Sequence, residues 1–313
     1  MNQAKVLNFF GLLLIMFGIS FAIPLFVAIF YGESLIRVFG LGMSILVLMG
    51  FLSWFFTKDN KQELSLSDGF VITVLFWIVL SVSGSIPFIL FGFGVVDSFF
   101  ESMSGITTTG ATVIAGLDDL PKSLLIYRQL LQWLGGMGLI VLAIAVMPLL
   151  GIGGGQLFKT QTPGPMSEQR LTPRITSTAR ALWSIYFFLT VLCIFAYRLA
   201  GMSYFDAVSH AFSTVSIGGF STHDLSIGFF DSLSIEIVCI TFMLLSAMSF
   251  AVHYSAIYRK QVLKYFYDPE LRFFVSLLIV ILGLVCLSLF ANDIDDPIRS
   301  GLFQTVSILT TTG

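Results

Sequence analysis

The sequence predicts an all-α polytopic membrane protein in which two leading transmembrane helices are followed by repeated helix, pore-loop, helix units. The 313 residues are 56% hydrophobic and only 11% charged, whereas soluble domains carry about 25% charged residues. Seven apolar runs are long enough to cross a bilayer. After the third, fifth and seventh runs comes a short segment that is too polar to cross, and these three segments resemble one another.

The apolar runs set the number of predicted spans, because a hydrocarbon core of about 30 Å needs about 20 apolar residues in a helix. The first run follows a single positive charge, Lys5, and has no small-residue cleavage site at its end. This favours an uncleaved spanning helix over a signal peptide. The seven runs lie at approximately 7–30, 38–56, 70–93, 124–149, 182–201, 231–257 and 273–291.

The placement of charge predicts the orientation. With the N-terminus in the cytoplasm, 11 of the 16 Lys and Arg residues fall on the inner side, as the positive-inside rule requires. The same topology places 12 of the 18 acidic residues outside. These carboxylates form either an acidic vestibule that concentrates cations or ordinary solvated loop charge. The net charge of −2 gives no support to a nucleic-acid partner.

The three polar segments form an internal repeat. They end at Gly110, Gly219 and Gly313, which are 109 and 94 residues apart, so the repeating unit is a whole span, loop, span element. Aligned on that glycine, the segments share a serine six residues earlier and a hydroxyl residue three residues earlier. The serines are Ser104, Ser213 and Ser307, and the hydroxyl residues are Thr107, Ser216 and Thr310.

Each segment suits a short half-helix that enters from outside and gives way to a Thr/Gly stretch near mid-membrane. Non-helical backbone is tolerated at that depth only where it is buried in protein or lines a wet cavity. Consecutive backbone carbonyls and a glycine able to adopt positive φ can replace the water around a dehydrating cation. The alternative for any one segment is a Thr/Gly-rich turn, but three in register favour a cation pore.

Several polar residues in or near the spans need partners. One group occupies the same position in each repeat, nine residues before the terminal glycine, where it supports the half-helices or tunes the local field. Arg128 is expected to reach the interface, and Glu236 to face a cavity or a partner. The glycines of GGMG (135–138) are expected to permit close helix packing, with gating flexibility as the alternative. The group shared by the repeats is Glu101, His210 and Gln304.

The sequence contains no residue pattern that predicts an enzyme. The histidines have no second ligand at metal spacing, and no catalytic set lies on facing spans. The glycine-rich segment 151–156 has no preceding strand and no following GK[ST], so it does not predict a nucleotide site.

At these residues the sequence resembles the Trk/Ktr/HKT superfamily of potassium transporters, and specifically its TrkH-like subunits. The resemblance rests on motifs spread over the whole chain, and the two spans ahead of the first repeat favour the TrkH-like branch. The motifs are TTTGATVIAGLDDLPKSLLIYRQLLQWLGGMGLIVLAIAVMPLLGIGG (107–154), PGP (163–165), LTPRI (171–175), ALW (181–183) and SIGGFSTHD (216–224).

The resemblance implies potassium uptake across the bacterial inner membrane through four pseudo-equivalent units, in a homodimer surrounded by membrane lipids. It also implies gating by a cytosolic TrkA-like nucleotide-binding ring and no cofactor on this chain. A glycine at the filter position of all three loops implies potassium rather than sodium. The implied potassium-binding residues are Thr108, Thr109, Gly110, Ile217, Gly218, Gly219, Thr311, Thr312 and Gly313.

The resemblance also implies a division of the chain. The leading pair occupies 1–57, the first repeat 58–150, the second repeat with its cytoplasmic linker 151–257, and an incomplete third repeat 258–313. The chain stops at the third filter glycine, so we expect a C-terminal truncation that lacks the fourth unit. A transporter coupled to sodium or protons remains the alternative function, because it would use the same ion through an occluding site.

Overall fold

A computed structural model describes residues 3–58, 66–146 and 175–313, and their regular secondary structure is helical throughout. Short 3₁₀ turns at Leu117–Asp119 and Ser226–Phe230 lie in two of the connections. The helices are α1 Gln3–Ser20, α2 Ala22–Tyr31, α3 Ile36–Thr57, α4 Leu66–Phe91, α5 Val95–Ile106, α6 Lys122–Val146, α7 Ile175–Leu199, α8 Tyr204–Val215, α9 Leu233–Ala247, α10 Phe250–Tyr258, α11 Lys264–Tyr267, α12 Pro269–Ala291 and α13 Pro297–Leu309.

Five helical segments in the described part of the chain are long and apolar enough to cross a membrane. They match five of the seven predicted runs, with bounds that differ by no more than four residues. The segments are Gln3–Tyr31, Ile36–Thr57, Ser67–Phe91, Arg180–Leu199 and Pro269–Ala291.

The first segment is interrupted at Phe21, which separates α1 from α2. Pro24 explains the interruption, since proline has no N–H to donate to the carbonyl of Ser20 and its ring crowds that carbonyl. After α2, Glu33 accepts hydrogen bonds from the backbone amides of Lys122, at 2.7 Å, and Ser123, at 3.1 Å. The leading pair thereby caps the first turn of α6.

The fourth predicted run is covered by α6, which is not among the five apolar segments. Every residue from Ser123 to Gln132 is buried, and the stretch includes the polar side chains of Arg128, Gln129 and Gln132. This part of α6 therefore packs inside the protein rather than against lipid.

The sixth predicted run, 231–257, forms two helices rather than one straight helix. α9 and α10 meet at an angle of 91°. Met248 and Ser249 adopt extended backbone, with ψ of 149° and 122°, so the helical hydrogen-bond ladder stops there. α10 then turns aside, and the ring of Phe250 lies 6.2 Å from that of Tyr186 on α7.

The half-helices repeat the same unit three times, as α4–α5, α7–α8 and α12–α13. Each contains 12 or 13 residues, which at about 1.5 Å per residue reaches only about 20 Å. They are too short to cross the membrane. The predicted division at 57/58 lies near the end of α3, that at 150/151 lies outside the described residues, and that at 257/258 falls within α10.

The leading helices α1 and α3 cross at two glycines. A Cβ added at Gly50 would lie 2.5 Å from the carbonyl oxygen of Gly11 and 2.9 Å from the amide nitrogen of Ile15. The two backbones are therefore in direct contact, as small residues allow in membrane helix pairs.

We predict that Gly50→Ala lowers the melting temperature of the detergent-purified protein, because overpacking at a closed crossing costs about 1–3 kcal/mol. Gly40→Ala is the matched control on the same helix, since a Cβ there meets nothing within 4 Å. It should leave the protein as stable or more stable, because alanine favours a helix over glycine by about 1 kcal/mol. Equal melting of the two variants would contradict the close crossing.

Candidate ion-binding site

The three half-helices end in the same backbone conformation. The residue that closes each helix, Thr107, Ser216 or Thr310, has φ between −82° and −81°. The next residue is left-handed in every loop, and so is the terminal glycine two residues later. The left-handed residues are Thr108 (φ 55°), Ile217 (φ 49°) and Thr311 (φ 63°), and the glycines are Gly110 (φ 81°), Gly219 (φ 81°) and Gly313 (φ 88°).

Backbone hydrogen bonds hold this conformation. The amide of the third loop residue donates to the carbonyl of the shared serine, in the 6→1 pattern that terminates helices. β-Branched residues rarely adopt the left-handed conformation, so three of them in register mark strain that the fold sustains, as functional sites do. The bonds are Thr109 N to Ser104 O at 2.9 Å, Gly218 N to Ser213 O at 2.8 Å and Thr312 N to Ser307 O at 2.8 Å.

The three loops meet face to face. A Cβ added at Gly110 would overlap the carbonyl oxygen of Gly218 and lie 3.1 Å from that of Thr312. A Cβ added at Gly219 would overlap the carbonyl oxygen of Thr312 and lie 3.2 Å from that of Gly313. Carbonyl oxygens of the second and third loops therefore lie directly against the terminal glycines. Oxygen atoms grouped in this way can coordinate a cation without side-chain ligands.

The hydroxyl residues that close the half-helices anchor the loops. Thr107 Oγ1 donates to Met103 O at 2.7 Å, and Thr310 Oγ1 donates to Val306 O at 2.8 Å. Ser216 Oγ donates to Ser213 O at 3.1 Å. Each hydroxyl thereby forms a hydrogen bond with the last turn of its own half-helix.

Glu101 forms a buried ion pair with Arg128. Glu101 Oε1 lies 2.7 Å from Arg128 Nε, and both side chains are 0% exposed. Thr112 Oγ1 donates to the carboxylate at 3.0 Å and accepts from Arg128 Nη2 at 3.0 Å. Arg128 Nη1 donates to the carbonyl of Ser221 at 3.0 Å. The expectation that Arg128 reaches the interface is wrong, because Glu101 holds it inside.

The other two residues at the repeated position differ from each other. His210 is buried, with Nδ1 2.9 Å from Asp206 O and Nε2 2.9 Å from Ser221 Oγ, so it ties its half-helix to the segment after the second loop. Gln304 is exposed and makes no hydrogen bond within the described part of the chain. The structure brings Glu101 and His210 into supporting contacts and does not do so for Gln304.

Gln132 contacts the second loop and was missed from the sequence. Its Nε2 donates to the carbonyl of Gly218, and its Oε1 accepts from Phe220 N at 3.0 Å. A usable signal was present, because Arg128 and Gln132 lie four residues apart on one helix face and polar side chains in a span need partners.

Glycines of α6 bring it against the half-helix ends. A Cβ at Gly135 would overlap the carbonyl oxygen of Ile106, and one at Gly136 would lie 3.1 Å from Ser216 Cβ. The helix therefore touches the ends of the first and second half-helices, and the prediction of close packing at these glycines agrees with this geometry.

Three of the carboxylates predicted to lie outside make contacts with other parts of the chain. Asp224 Oδ1 accepts from the amides of Gly116 and Leu117, each at 3.1 Å. Asp118 pairs with His223, and this hydrogen bond lowers the pKa of the Asp118 carboxyl. Glu236, expected to find a cavity or a partner, accepts from Arg299 Nη2 at 2.7 Å. These carboxylates therefore join separate segments of the chain.

Two cavities adjoin the loops. One of about 550 Å³ is lined by residues that include Gln304, Ser307 and Gly313. The other, of about 510 Å³, is lined by residues that include Thr107, Thr108 and Ile217. No group of three or more His, Cys, Asp or Glu side chains arranged to hold a metal occurs among the described residues.

Comparison with known proteins gives consistent matches. The family model TrkH, described as a cation transport protein, matches residues 35–313. The chain is 46% identical over 319 residues to the Trk system potassium uptake protein TrkH of Halomonas elongata, covering 100% of the chain and 66% of that protein. It is 42% identical over 320 residues to the protein of the same name from Escherichia coli, with the same coverage of 100% and 66%.

A solved structure also matches. The crystal structure of the potassium transporter TrkH from Vibrio parahaemolyticus superimposes with a TM-score of 0.87 at 44% identity, covering 98% of this chain and 64% of that one. The chain thus spans 66% of the length of the curated relatives described above. The match bears out the helical membrane fold predicted from the sequence.

We predict that Glu101→Gln destabilises the protein by about 3–5 kcal/mol, since it leaves the Arg128 charge buried without its counterion. Asp97→Asn, an exposed change four residues earlier on α5, is the matched control and should have little effect. Melting followed by size-exclusion chromatography in detergent measures both. If Glu101→Gln has the same melting temperature as Asp97→Asn, the ion pair does not stabilise the site.

Proposed function

We propose that this chain, which belongs to the TrkH family of cation transport proteins, forms three sides of a potassium pathway through which the ion enters the cell. The pathway runs between the three terminal loops. Its ligands are backbone carbonyls around Thr109 and Gly110, Gly218 and Gly219, and Thr312 and Gly313. No covalent chemistry is required, because the task is to replace the water of the ion by fixed oxygens.

One observation carries the proposal: three loops with one backbone conformation meet at their glycines and carbonyl oxygens. A carbonyl cage of this kind suits a monovalent cation that loses its hydration shell. The half-helices also end at the loops, and the negative end of a helix dipole favours a cation over an anion. Potassium is the preferred ion since the relatives carry potassium uptake in their names.

The membrane potential supplies the driving force in this proposal. A potential of about 100 mV contributes about 2.3 kcal/mol for each positive charge that moves inward. The cytoplasmic N-terminus follows from the excess of Lys and Arg on the inner side. The location is the bacterial inner membrane.

We also propose that this chain works in a complex with other proteins. The relatives are named as proteins of a Trk system, which supports a complex with further components. We assign gating to a cytosolic TrkA-like nucleotide-binding ring and expect the chain to act in a homodimer. We propose that the loops are supported by Thr107, Ser216, Thr310, Glu101 and His210. Gln304 instead lines a cavity.

We predict that Gly110→Ser or Gly219→Ser in the full-length gene product lowers the preference for potassium over sodium by at least about tenfold, equal to about 1.4 kcal/mol. The added side chain overlaps a carbonyl oxygen of the facing loop, so the cage must open. Rubidium uptake into proteoliposomes, with potassium and sodium as competitors, measures the preference.

Gly116→Ser is the matched control for this test. Its φ of +75° resembles the +81° of Gly110, but a Cβ there meets nothing within 4 Å. It carries the same backbone strain outside the loops and should keep the wild-type preference. Unchanged preference in both loop variants would refute the assignment of the loops, and uptake that requires a sodium or proton gradient would point to coupled transport.

A further inference from the structure

The second loop lacks a hydrogen bond that the first and third loops share. In the first loop the hydroxyls of Thr107 and Thr109 lie 2.7 Å apart, and in the third the hydroxyls of Thr310 and Thr312 lie 2.8 Å apart. This bond joins the residue that closes the half-helix to the third loop residue. The second loop has Gly218 at the third position, so it has no side chain with which to make this bond.

The side chain of Gln132 occupies the missing position. A Cβ added at Gly218 would lie 2.5 Å from Gln132 Cδ, 2.7 Å from Oε1 and 2.8 Å from Nε2. The space that a threonine fills in the other loops is thus already taken by an amide from α6. Gln132 is fully buried, so water does not compete for its hydrogen bonds.

The amide of Gln132 bonds the chain on both sides of Gly219. It donates to the carbonyl of Gly218 and accepts from the amide of Phe220 at 3.0 Å. Gly218 and Gly219 form the most flexible pair in the three loops, because neither residue has a Cβ to restrict φ and ψ. A two-point contact across this pair opposes rotation of the peptide that carries the Gly218 carbonyl.

We propose that Gln132 is a positioning residue for ion selectivity, replacing from outside the loop the threonine brace that the other two loops carry within themselves. The inference rests on the proposed function. The Gly218 carbonyl is the oxygen that meets Gly110 of the facing loop. If the Gly218 carbonyl keeps one direction, the distances between the ligand oxygens stay fixed, and those distances match one size of ion. Gln132 does not need to touch the ion.

Neighbouring contacts explain why α6 supplies this residue. One turn before Gln132, Arg128 donates to the carbonyl of Ser221 just beyond the second loop. Almost one turn after it, Gly135 lies against the end of the first half-helix. These two contacts hold the helix against the chain just beyond the second loop and against the end of the first half-helix, so the fold sets the position of the Gln132 amide.

A double-mutant cycle tests the proposal. Gln132→Ala removes the external brace, and Gly218→Thr forces a side chain into the space of Gln132. Each single change should lower the preference for potassium over sodium about fivefold, because each removes the hydrogen bond that directs the Gly218 carbonyl, and such a bond contributes about 1 kcal/mol. The double variant should return to within about twofold of wild type, because the introduced threonine can bond Ser216 as in the other loops.

The readout is the ratio of potassium to sodium competition against rubidium uptake, measured on the full-length gene product in proteoliposomes. A ratio does not depend on how much protein folds. Gln132→Glu serves as a second variant of nearly the same shape. It keeps an acceptor for Phe220 N, loses the donor to Gly218, and should lower the ratio as Gln132→Ala does.

Gln129→Ala is the matched control. Gln129 lies on the same helix and is equally buried, but neither atom of its amide has a partner among the described residues. Gln129→Ala removes the same volume and polar group as Gln132→Ala without breaking a hydrogen bond to any described residue, and the ratio should stay at the wild-type value.

The outcomes separate this inference from the proposed function. Potassium-selective uptake by wild type with an unchanged ratio in Gln132→Ala and Gln132→Glu would overturn the role of Gln132. A double variant no better than the worse single variant would overturn the replacement of one brace by the other. Absence of potassium uptake by wild type would instead overturn the proposed function, and with it any role in selectivity.

Discussion

Backbone that leaves a helix inside a membrane must find its hydrogen-bond partners within the protein, because lipid offers none. One face of α6 meets this constraint for the second loop. Arg128 and Gln132 donate to the carbonyls of Ser221 and Gly218, and Gly135 lets the helix reach the first half-helix. The helix thus contacts the second loop and the end of the first half-helix, and the carbonyl oxygen of Thr312 in the third loop lies close to Gly110 and Gly219.

The buried ion pair between Glu101 and Arg128 fixes the relative positions of helices more than it adds to the free energy of unfolding. Removing Glu101 and Arg128 from water is costly, and the attraction between them offsets that cost only when further hydrogen bonds complete their shells. Thr112 and the carbonyl of Ser221 provide such bonds. The pair therefore fixes the relation between α5, α6 and the segment after the second loop. His210 performs a similar task on α8 by bonding Ser221 Oγ.

Much of this could be predicted from the sequence, because apolar length predicts spans and a repeat aligned on Gly110, Gly219 and Gly313 predicts equivalent backbone. What escaped prediction depends on tertiary partners. No proline or glycine marks the turn at Met248, so the pattern did not predict the bend. Gln132 shares a helix face with Arg128, but the sequence does not show that its amide lies in the space beside Gly218. Equal position in the repeat did not give Gln304 the contacts of its counterparts, because such contacts depend on what packs nearby.

We propose that the backbone carbonyls of the three loops bind the transported cation. Anomalous scattering from rubidium or thallium ions in crystals of the full-length gene product would locate that cation. We expect a peak between the loops, within coordination distance of the carbonyl oxygens of Gly218 and Thr312. Peaks confined to the acidic groups of the cavity near Glu236, with none between the loops, would refute binding by the carbonyls.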